Sequence, residues 1–499
     1  MKEIKIGAIL SYLGIAITVM VTLIYTPILT KQLGQAEYGV YMLIGSLVTY
    51  LTILDMGLGN AIVRYISREQ NNETYKNKLI GMFLILFTVL GVIVLFLGII
   101  ITGNLHLFFY NSLTSSEINL AQNLMFILTL NYAFSFPLSV FSAVIQAHEK
   151  FIFLKSLNIL RSLLAPLIIV PLLYIGYGSI TVVLVTTIVN ISFLLINVYY
   201  AFVVLKIKVI FNLIDRNVMK EIITYSFFVF LVAVMDKIYW STDQVLLGMY
   251  SGATNVAVYA LAMQFINLFM ILSTVINGLY LPKLSKMDSN FSSDSEFSNI
   301  FISVGTAQTI LLSYFILGFL LVGKNFINLW VGESYNESYI IVCIIILPLL
   351  IIWGQTIGTA ILQAKNKHKF RAVVYLIVAV LNIIISIPVT QAFGGIGTAI
   401  VTALSLIISH IVVMNIYYYK VINIDIKKYW LKASKIYIYN IIIFVCLWYL
   451  FQNISFDNWW GIFAKIIIFS IVYTSVIYTF ILDKKVKNEV NKKLRGKRG

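Results

Sequence analysis

Long apolar runs separated by short polar segments make up most of the chain. Each run approaches or exceeds the length of about 20 residues that an α-helix needs to cross about 30 Å of hydrocarbon. The pattern predicts an all-α, polytopic membrane protein with fourteen transmembrane helices. The predicted spans are 6–30, 38–63, 79–102, 119–145, 157–175, 180–205, 221–249, 254–281, 300–323, 338–362, 372–391, 396–418, 436–452 and 460–482.

Composition agrees with this prediction. Of the 499 residues, 60% are hydrophobic and 11% are charged, whereas soluble domains have about 45–50% apolar and about 25% charged residues. These values exclude a soluble enzyme, a disordered regulator and a nucleic-acid-binding protein, although the formal net charge is +16. We expect no metal site or cofactor, because both cysteines lie in apolar runs and the four histidines are scattered.

The basic residues predict the orientation. Fourteen spans place both termini on one side of the membrane, and the segments on that side contain 31 of the 36 lysine and arginine residues. The opposite loops contain Lys31 and Lys324. Because basic residues are enriched in cytoplasmic loops, both termini are expected in the cytoplasm. The basic tail 484–498 is expected to bind anionic membrane lipids.

Short patterns recur at a nearly constant offset along the chain. Gly34 and Gly252 are each followed by Val-Tyr at the same spacing, and Asn197 and Asn415 each begin an Asn-x-Tyr-Tyr motif at the same offset. The offset predicts two six-helix bundles in the same orientation, with two further helices and the basic tail outside the repeat. Parallel repeats are known from transporters that work by alternating access, although a duplication with only structural meaning is the alternative. The predicted domains are 1–215, 216–435 and 436–499.

The second span carries a more specific pattern. Segments 33–41 (LGQAEYGVY) and 54–61 (LDMGLGNA), followed by Arg64-Tyr65, resemble the start of polysaccharide-biosynthesis flippases of the multidrug/oligosaccharidyl-lipid/polysaccharide exporter superfamily. Segments 243–248 (DQVLLG) and 329–332 (LWVG), together with Tyr259, are also similar to that family. The resemblance covers the whole chain, including its length and its six, six and two spans.

The resemblance implies a function. Members of the family move polyprenyl-diphosphate-linked oligosaccharides, with undecaprenyl diphosphate as the carrier, from the cytoplasmic to the outer leaflet of the bacterial inner membrane. Such a flippase would serve O-antigen or capsule synthesis and have polysaccharide polymerases as partners. Its direction would come from a proton or sodium gradient or from consumption of the product outside. Two alternatives stay open: an organic-cation (multidrug) exporter of the same superfamily, and a polytopic polysaccharide polymerase. The short loops and the repeat argue against an enzyme.

Charged residues inside spans are the first candidates for a transport site, because a charge at the bilayer centre costs about 2.5–3.5 kcal/mol on insertion scales. Span 7 contains a polar stripe within one sector of the helix. The residues of this stripe that are predicted to bind substrate are Lys237, Trp240 and Gln244. Those predicted to couple an ion or pair charges are Asp236 and Asp243.

Spans 2 and 5 supply the remaining candidates. Asp55 is predicted to couple an ion or pair with another helix, and Arg64 to bind substrate or to anchor the helix at the interface. Arg161 lies about one turn inside span 5, where an inward-open transporter would first meet a diphosphate. Arginine suits bidentate contact with phosphate, and snorkelling to the interface is the alternative.

Overall fold

The computed structural model describes residues 2–68, 72–211, 216–289, 293–365, 367, 369–452, 458–482 and 487–488, and these form helices joined by turns and short loops, with no β-strand among them. The α-helices are α1 (Lys2–Thr52), α2 (Leu58–Arg68), α3 (Glu73–Phe109), α4 (Ser115–Ala147), α5 (Phe151–Tyr174), α6 (Ser179–Tyr199), α7 (Arg216–Tyr250), α8 (Ala253–Ser289), α9 (Asp294–Trp330), α10 (Asn336–Gly354), α11 (Ile357–Ala364), α12 (Lys369–Leu406), α13 (Met414–Lys420), α14 (Ile426–Gln452) and α15 (Trp459–Val476).

Eleven helices in the described part of the chain are long and apolar enough to cross a membrane. Two of them, Ile9–Arg68 and Lys369–Lys420, have 60 and 52 residues. Each contains a kink at a glycine with positive φ, Gly34 (φ 74°) or Gly394 (φ 57°), so that each consists of two helices and is long enough for two crossings. The all-α polytopic membrane fold is thus confirmed, and the count of fourteen spans stays a prediction.

The outer faces of the helices are apolar. On α12, for example, Val373, Leu376, Ile377, Val380 and Ile384 are all exposed. An exposed apolar surface of this kind would be unfavourable in water. It is what a helix presents to lipid, where backbone groups are satisfied within the helix itself.

The chain divides into two compact units. The first comprises residues 1–260 with 390–395, and the second comprises 261–389 and 396–499. In the first unit, α3 packs closely on α4 because Gly91 and Gly98 lie against Ala133 and Thr129, where a Cβ atom would overlap the neighbour. In the second unit, buried aromatic rings form the core around Phe301. The predicted bundle boundary at residue 215 stays a prediction.

Local structures recur at the offset found in the sequence. Gly34 and Gly252 both have positive φ, and the pair Gly176 and Gly394, separated by the same offset, has positive φ as well. Two aromatic stacks also recur. The rings of Phe153 and Tyr200 lie 3.9 Å apart at 15°, and those of Phe370 and Tyr417 lie 4.3 Å apart at 14°. The repeated motifs therefore fold into repeated turns and contacts.

Candidate functional site

A cavity of about 630 Å³ lies in the first unit and is lined by α1, α2, α4, α5, α6 and the turn after α1. Small-molecule sites usually have volumes of about 300–1,000 Å³. Polar side chains inside a membrane protein are costly and usually functional, and eleven of the sixteen lining residues are polar. The lining residues are Thr52, Asp55, Gly59, Asn60, Tyr132, Ser135, Phe136, Ser139, Ser142, Ala143, Gln146, Phe151, Leu154, Lys155, Asn158 and Asn197.

Helix α4 contributes a polar stripe to this cavity. Tyr132, Ser135, Ser139, Ser142 and Gln146 are spaced by three and four residues in alternation. This spacing places all five on one face of the helix. The stripe therefore presents hydroxyl and amide groups along one wall of the cavity over about four turns.

Asp55 reaches the cavity because the helix is interrupted at this point. After α1 the chain forms the 3₁₀ turn Ile53–Asp55, and both Met56 (φ 51°) and Gly57 (φ 67°) adopt the left-handed conformation before α2 begins. The Asp55 carboxylate lies beside Gly59 in the first turn of α2. A carboxylate at a helix N-terminus also interacts favourably with the helix dipole.

Helix α5 brings an ammonium group to the cavity. Lys155 and Asn158 are three residues apart on one face of α5, and both line the cavity. Lys155 was not among the predicted site residues. The apolar pattern starts span 5 at residue 157 and assigns Lys155 to the preceding loop, whereas α5 begins at Phe151.

Arg161 is joined to the cavity wall by a chain of hydrogen bonds. Its Nη1 donates to Oδ1 of Asn190 at 2.9 Å. Nδ2 of Asn190 lies 2.8 Å from both Oδ1 of Asn131 and Oγ of Ser135, to which it donates. Ser135 lines the cavity, so Asn190 holds the guanidinium group beside the wall although the Arg161 side chain is largely exposed.

Of the residues predicted on α7, Lys237, Trp240 and Gln244 lie outside this cavity lining. Lys237, Trp240 and Gln244 are half-buried, and the ring of Trp240 lies 5.8 Å from that of the adjacent Tyr239. Asp236 is part of α7, and its side chain is outside the described residues. The roles predicted for these four residues stay predictions.

Asp243 and Arg64 have different surroundings. Asp243 is buried and accepts a hydrogen bond from the hydroxyl of Tyr259 in α8. Arg64 is exposed on α2, with its guanidinium carbon 5.9 Å from the ring centroid of Tyr65, and it is not part of the cavity lining. Their predicted transport roles likewise stay predictions.

Comparison with protein families identifies the chain. Residues 4–288 match the family described as polysaccharide biosynthesis protein. The chain belongs to this family. The matched range includes every residue that lines the cavity.

A curated relative of this polysaccharide biosynthesis protein is a candidate O-antigen transporter of Shigella flexneri. The two are 23% identical over 416 residues, which cover 81% of this chain and 95% of the relative. The names of this relative and of the solved structures below are those of transporters and flippases, in agreement with the prediction that the chain is not an enzyme.

Two solved transporter structures resemble the fold of this chain. The lipid II flippase MurJ, in an inward closed conformation, matches with a TM-score of 0.73 and 18% identity over 95% of this chain and 98% of its own. An inward-facing multidrug resistance transporter of the MATE family and MOP superfamily matches with a TM-score of 0.63 and 14% identity over 80% of this chain and 96% of its own. The polysaccharide biosynthesis protein thus shares the fold of these transporters.

Proposed function

We propose that the protein is a flippase that moves polyprenyl-diphosphate-linked oligosaccharides across the membrane by alternating access, for O-antigen or capsule synthesis. The membrane is the bacterial cytoplasmic membrane, both termini lie in the cytoplasm, and the headgroup moves to the outer leaflet. A polysaccharide polymerase would consume the product there. Membership of the polysaccharide biosynthesis family supports this assignment.

The observation that carries the proposal is the chemistry of the cavity. Hydroxyl and amide groups of α4, α5 and α6 can exchange hydrogen bonds with sugar hydroxyls, as water does outside the membrane. Lys155 supplies a cation inside the cavity, and Arg161 supplies a second one beside its wall. Together the two cations offset the charge of a diphosphate, for which arginine provides bidentate contacts.

The carboxylates serve the coupling step in this proposal. Asp55 lies in the cavity at a break between helices, so that a proton or sodium ion bound there would act at the point where the chain can bend. Asp243 already accepts a hydrogen bond from the hydroxyl of Tyr259, so we assign ion coupling to Asp55 rather than to Asp243. Lys237, Trp240, Gln244 and Arg64 remain substrate-binding candidates for other steps of the cycle.

Transport in proteoliposomes tests the proposal. Vesicles loaded with an undecaprenyl-diphosphate-linked oligosaccharide are mixed with an external sugar-modifying enzyme, and the accessible fraction is followed with time. We expect flipping by the wild type and a loss of at least about tenfold in Lys155→Gln, which keeps a polar side chain of nearly the same length but removes the charge. Lys208→Gln, at an exposed lysine outside the cavity, serves as the matched control and is expected to flip at the wild-type rate.

The other outcomes separate the alternatives. Flipping that survives Lys155→Gln unchanged would keep the function and remove Lys155 from the site. Absence of flipping with lipid-linked oligosaccharides, together with export of an organic cation, would assign the protein to drug export. That alternative is disfavoured by the cations at the cavity, because Lys155 and Arg161 would repel an organic cation.

A further inference from the structure

Asn197 and Asn415 occupy equivalent places in the two repeats. They are separated by the same offset as Gly34 and Gly252, and each begins the motif Asn-x-Tyr-Tyr. Each side chain also faces the fourth span of its own repeat. Asn197 is hydrogen-bonded to Ser142 in α4, and Asn415 to Gln355, which directly follows α10. The two amides can therefore be compared group by group.

The amide of Asn415 is fully paired. Its Nδ2 donates to Oε1 of Gln355 at 2.9 Å and to the carbonyl of Ile411 at 2.7 Å. Its Oδ1 accepts from the indole Nε1–H of Trp430 at 2.9 Å and from Nε2 of Gln355 at 3.3 Å. Trp430 lies on α14, one of the two long helices outside the repeat.

The amide of Asn197 is only half paired. Nδ2 donates to Oγ of Ser142 at 2.8 Å, whereas Oδ1 is buried and has no hydrogen-bond partner among the described residues. Two differences in sequence explain this. First, Leu138 occupies the position in the first repeat that corresponds to Gln355, by the same offset that pairs Gln146 with Gln363. Second, the helix that carries Trp430 lies outside the repeat.

The unpaired acceptor belongs to a residue that lines the cavity. Asn197 lines the cavity together with Ser139, Ser142 and Gln146, and the residue is only 6% exposed. Buried polar atoms almost always have a hydrogen-bond partner, and leaving one without costs about 1–3 kcal/mol. A hydrogen-bond donor from outside the chain can therefore pair with Oδ1 of Asn197, as the indole N–H of Trp430 pairs with Oδ1 of Asn415.

We propose that Oδ1 of Asn197 accepts a hydrogen bond from a sugar hydroxyl or acetamido N–H of the transported lipid-linked oligosaccharide. The inference rests on the proposed function and deepens it, because it assigns one residue to the glycan rather than to the diphosphate. Asn197 is then a residue that distinguishes a glycosylated carrier from the bare carrier. Its action requires no charge, but the buried Oδ1 has to turn toward the cavity to reach the sugar.

Binding of two probes to the purified full-length protein tests this assignment. The probes are undecaprenyl-diphosphate-N-acetylglucosamine and undecaprenyl diphosphate without sugar, titrated in nanodiscs. We expect Asn197→Leu to weaken binding of the glycosylated probe about tenfold and to change binding of the bare carrier by less than about twofold. Asn197→Asp keeps the acceptor and is expected to retain the preference for the glycosylated probe.

Asn415→Leu is the matched control, because it removes the same amide from the second repeat. This variant should unfold at a lower temperature, since Trp430 and Gln355 lose their partner, but it should retain the wild-type preference between the probes. Equal weakening of both probes by Asn197→Leu would assign the residue to packing. Unchanged binding of both probes would indicate that Oδ1 is hydrogen-bonded to water rather than to the glycan. Equal weakening and unchanged binding each overturn the proposal. Binding of neither probe by the wild type would overturn the proposed function itself.

Discussion

Tyr259 donates its phenolic hydrogen to Oδ2 of Asp243 over 2.5 Å, and both side chains are buried in the first unit. The bond joins α7 to α8, two helices that follow each other in the chain. A buried carboxylate without a donor would bear most of its desolvation cost. The hydrogen bond from the Tyr259 hydroxyl thus lowers the free-energy cost of burying the Asp243 carboxylate.

Removing that hydroxyl is expected to destabilise the protein. Tyr259→Phe should lower the free energy of unfolding by about 1–3 kcal/mol, because Asp243 stays buried and loses a donor. Thermal unfolding in detergent measures the change, and Tyr250→Phe, at an exposed tyrosine of α7, should unfold like the wild type.

Asp243→Asn retains an acceptor for the Tyr259 hydroxyl and is expected to keep transport. Loss of ion-driven transport in a folded Asp243→Asn protein would instead support ion coupling at this residue.

The position of Arg161 depends on Asn190. Asn190→Leu removes the acceptor for the guanidinium group and both bonds to α4. We expect the flipping rate in proteoliposomes to fall about tenfold, since a hydrogen bond to a charged group is worth about 1.5–3 kcal/mol. Asn104→Leu replaces an exposed asparagine whose amide donates to the carbonyl of Ile100 in its own helix, and it should flip normally. Equal flipping rates for Asn190→Leu and Asn104→Leu would indicate that Arg161 has no role in transport.

Two glycines of α1 should respond in opposite ways to alanine. A Cβ on Gly39 would overlap the backbone carbonyl of Ala253 at the start of α8, whereas a Cβ on Gly45 meets no atom within 4 Å. Gly39→Ala is expected to destabilise the protein by about 1–3 kcal/mol through overpacking. Gly45→Ala is expected to be neutral or stabilising by up to about 1 kcal/mol through helix propensity. A melting temperature for Gly39→Ala at or above that of Gly45→Ala would contradict this packing.

An ion pair ties together three segments of the second unit. Nζ of Lys365, after α11, lies 2.7 Å from Oδ1 of Asp294 at the start of α9, and Oδ2 of Asp294 accepts from Asn423, between α13 and α14. Lys365→Ala should lower stability by up to about 1 kcal/mol at low salt, and the difference should shrink at high salt because a partly exposed pair is screened. Lys369→Ala, at an exposed lysine of α12, is the control; a salt-independent loss in Lys365→Ala would indicate packing against Phe297 instead.

The apolar pattern was sufficient to predict the membrane fold, because the length of a bilayer-spanning helix is fixed by the hydrocarbon thickness. Recurring motifs indicated the repeat, since the positive φ at Gly34 and at Gly252 needs the same residue for the same steric reason. Segment lengths alone did not reveal that α1 and α12 each continue through a kink rather than through a loop.

The candidate site was predicted only in part. Asp55 was found because a lone carboxylate in an apolar run stands out, and Arg161 for the same reason. Lys155 was missed because the apolar pattern assigns it to the loop before span 5. The stripe from Tyr132 to Gln146 was missed because serine and glutamine cost little in a hydropathy pattern and become conspicuous only when helices bring them together. The alternating three- and four-residue spacing on α4 was the available signal.

Trp430 makes the two halves of a duplicated chain unequal. A perfect duplication would yield two identical recognition points and hence room for two ligands per molecule. In the second repeat, the indole N–H of Trp430 is already hydrogen-bonded to Asn415, so a side chain of the protein itself occupies this recognition point. Asn197 is left to bind a partner from outside the chain, so the expected stoichiometry is one lipid-linked glycan per chain.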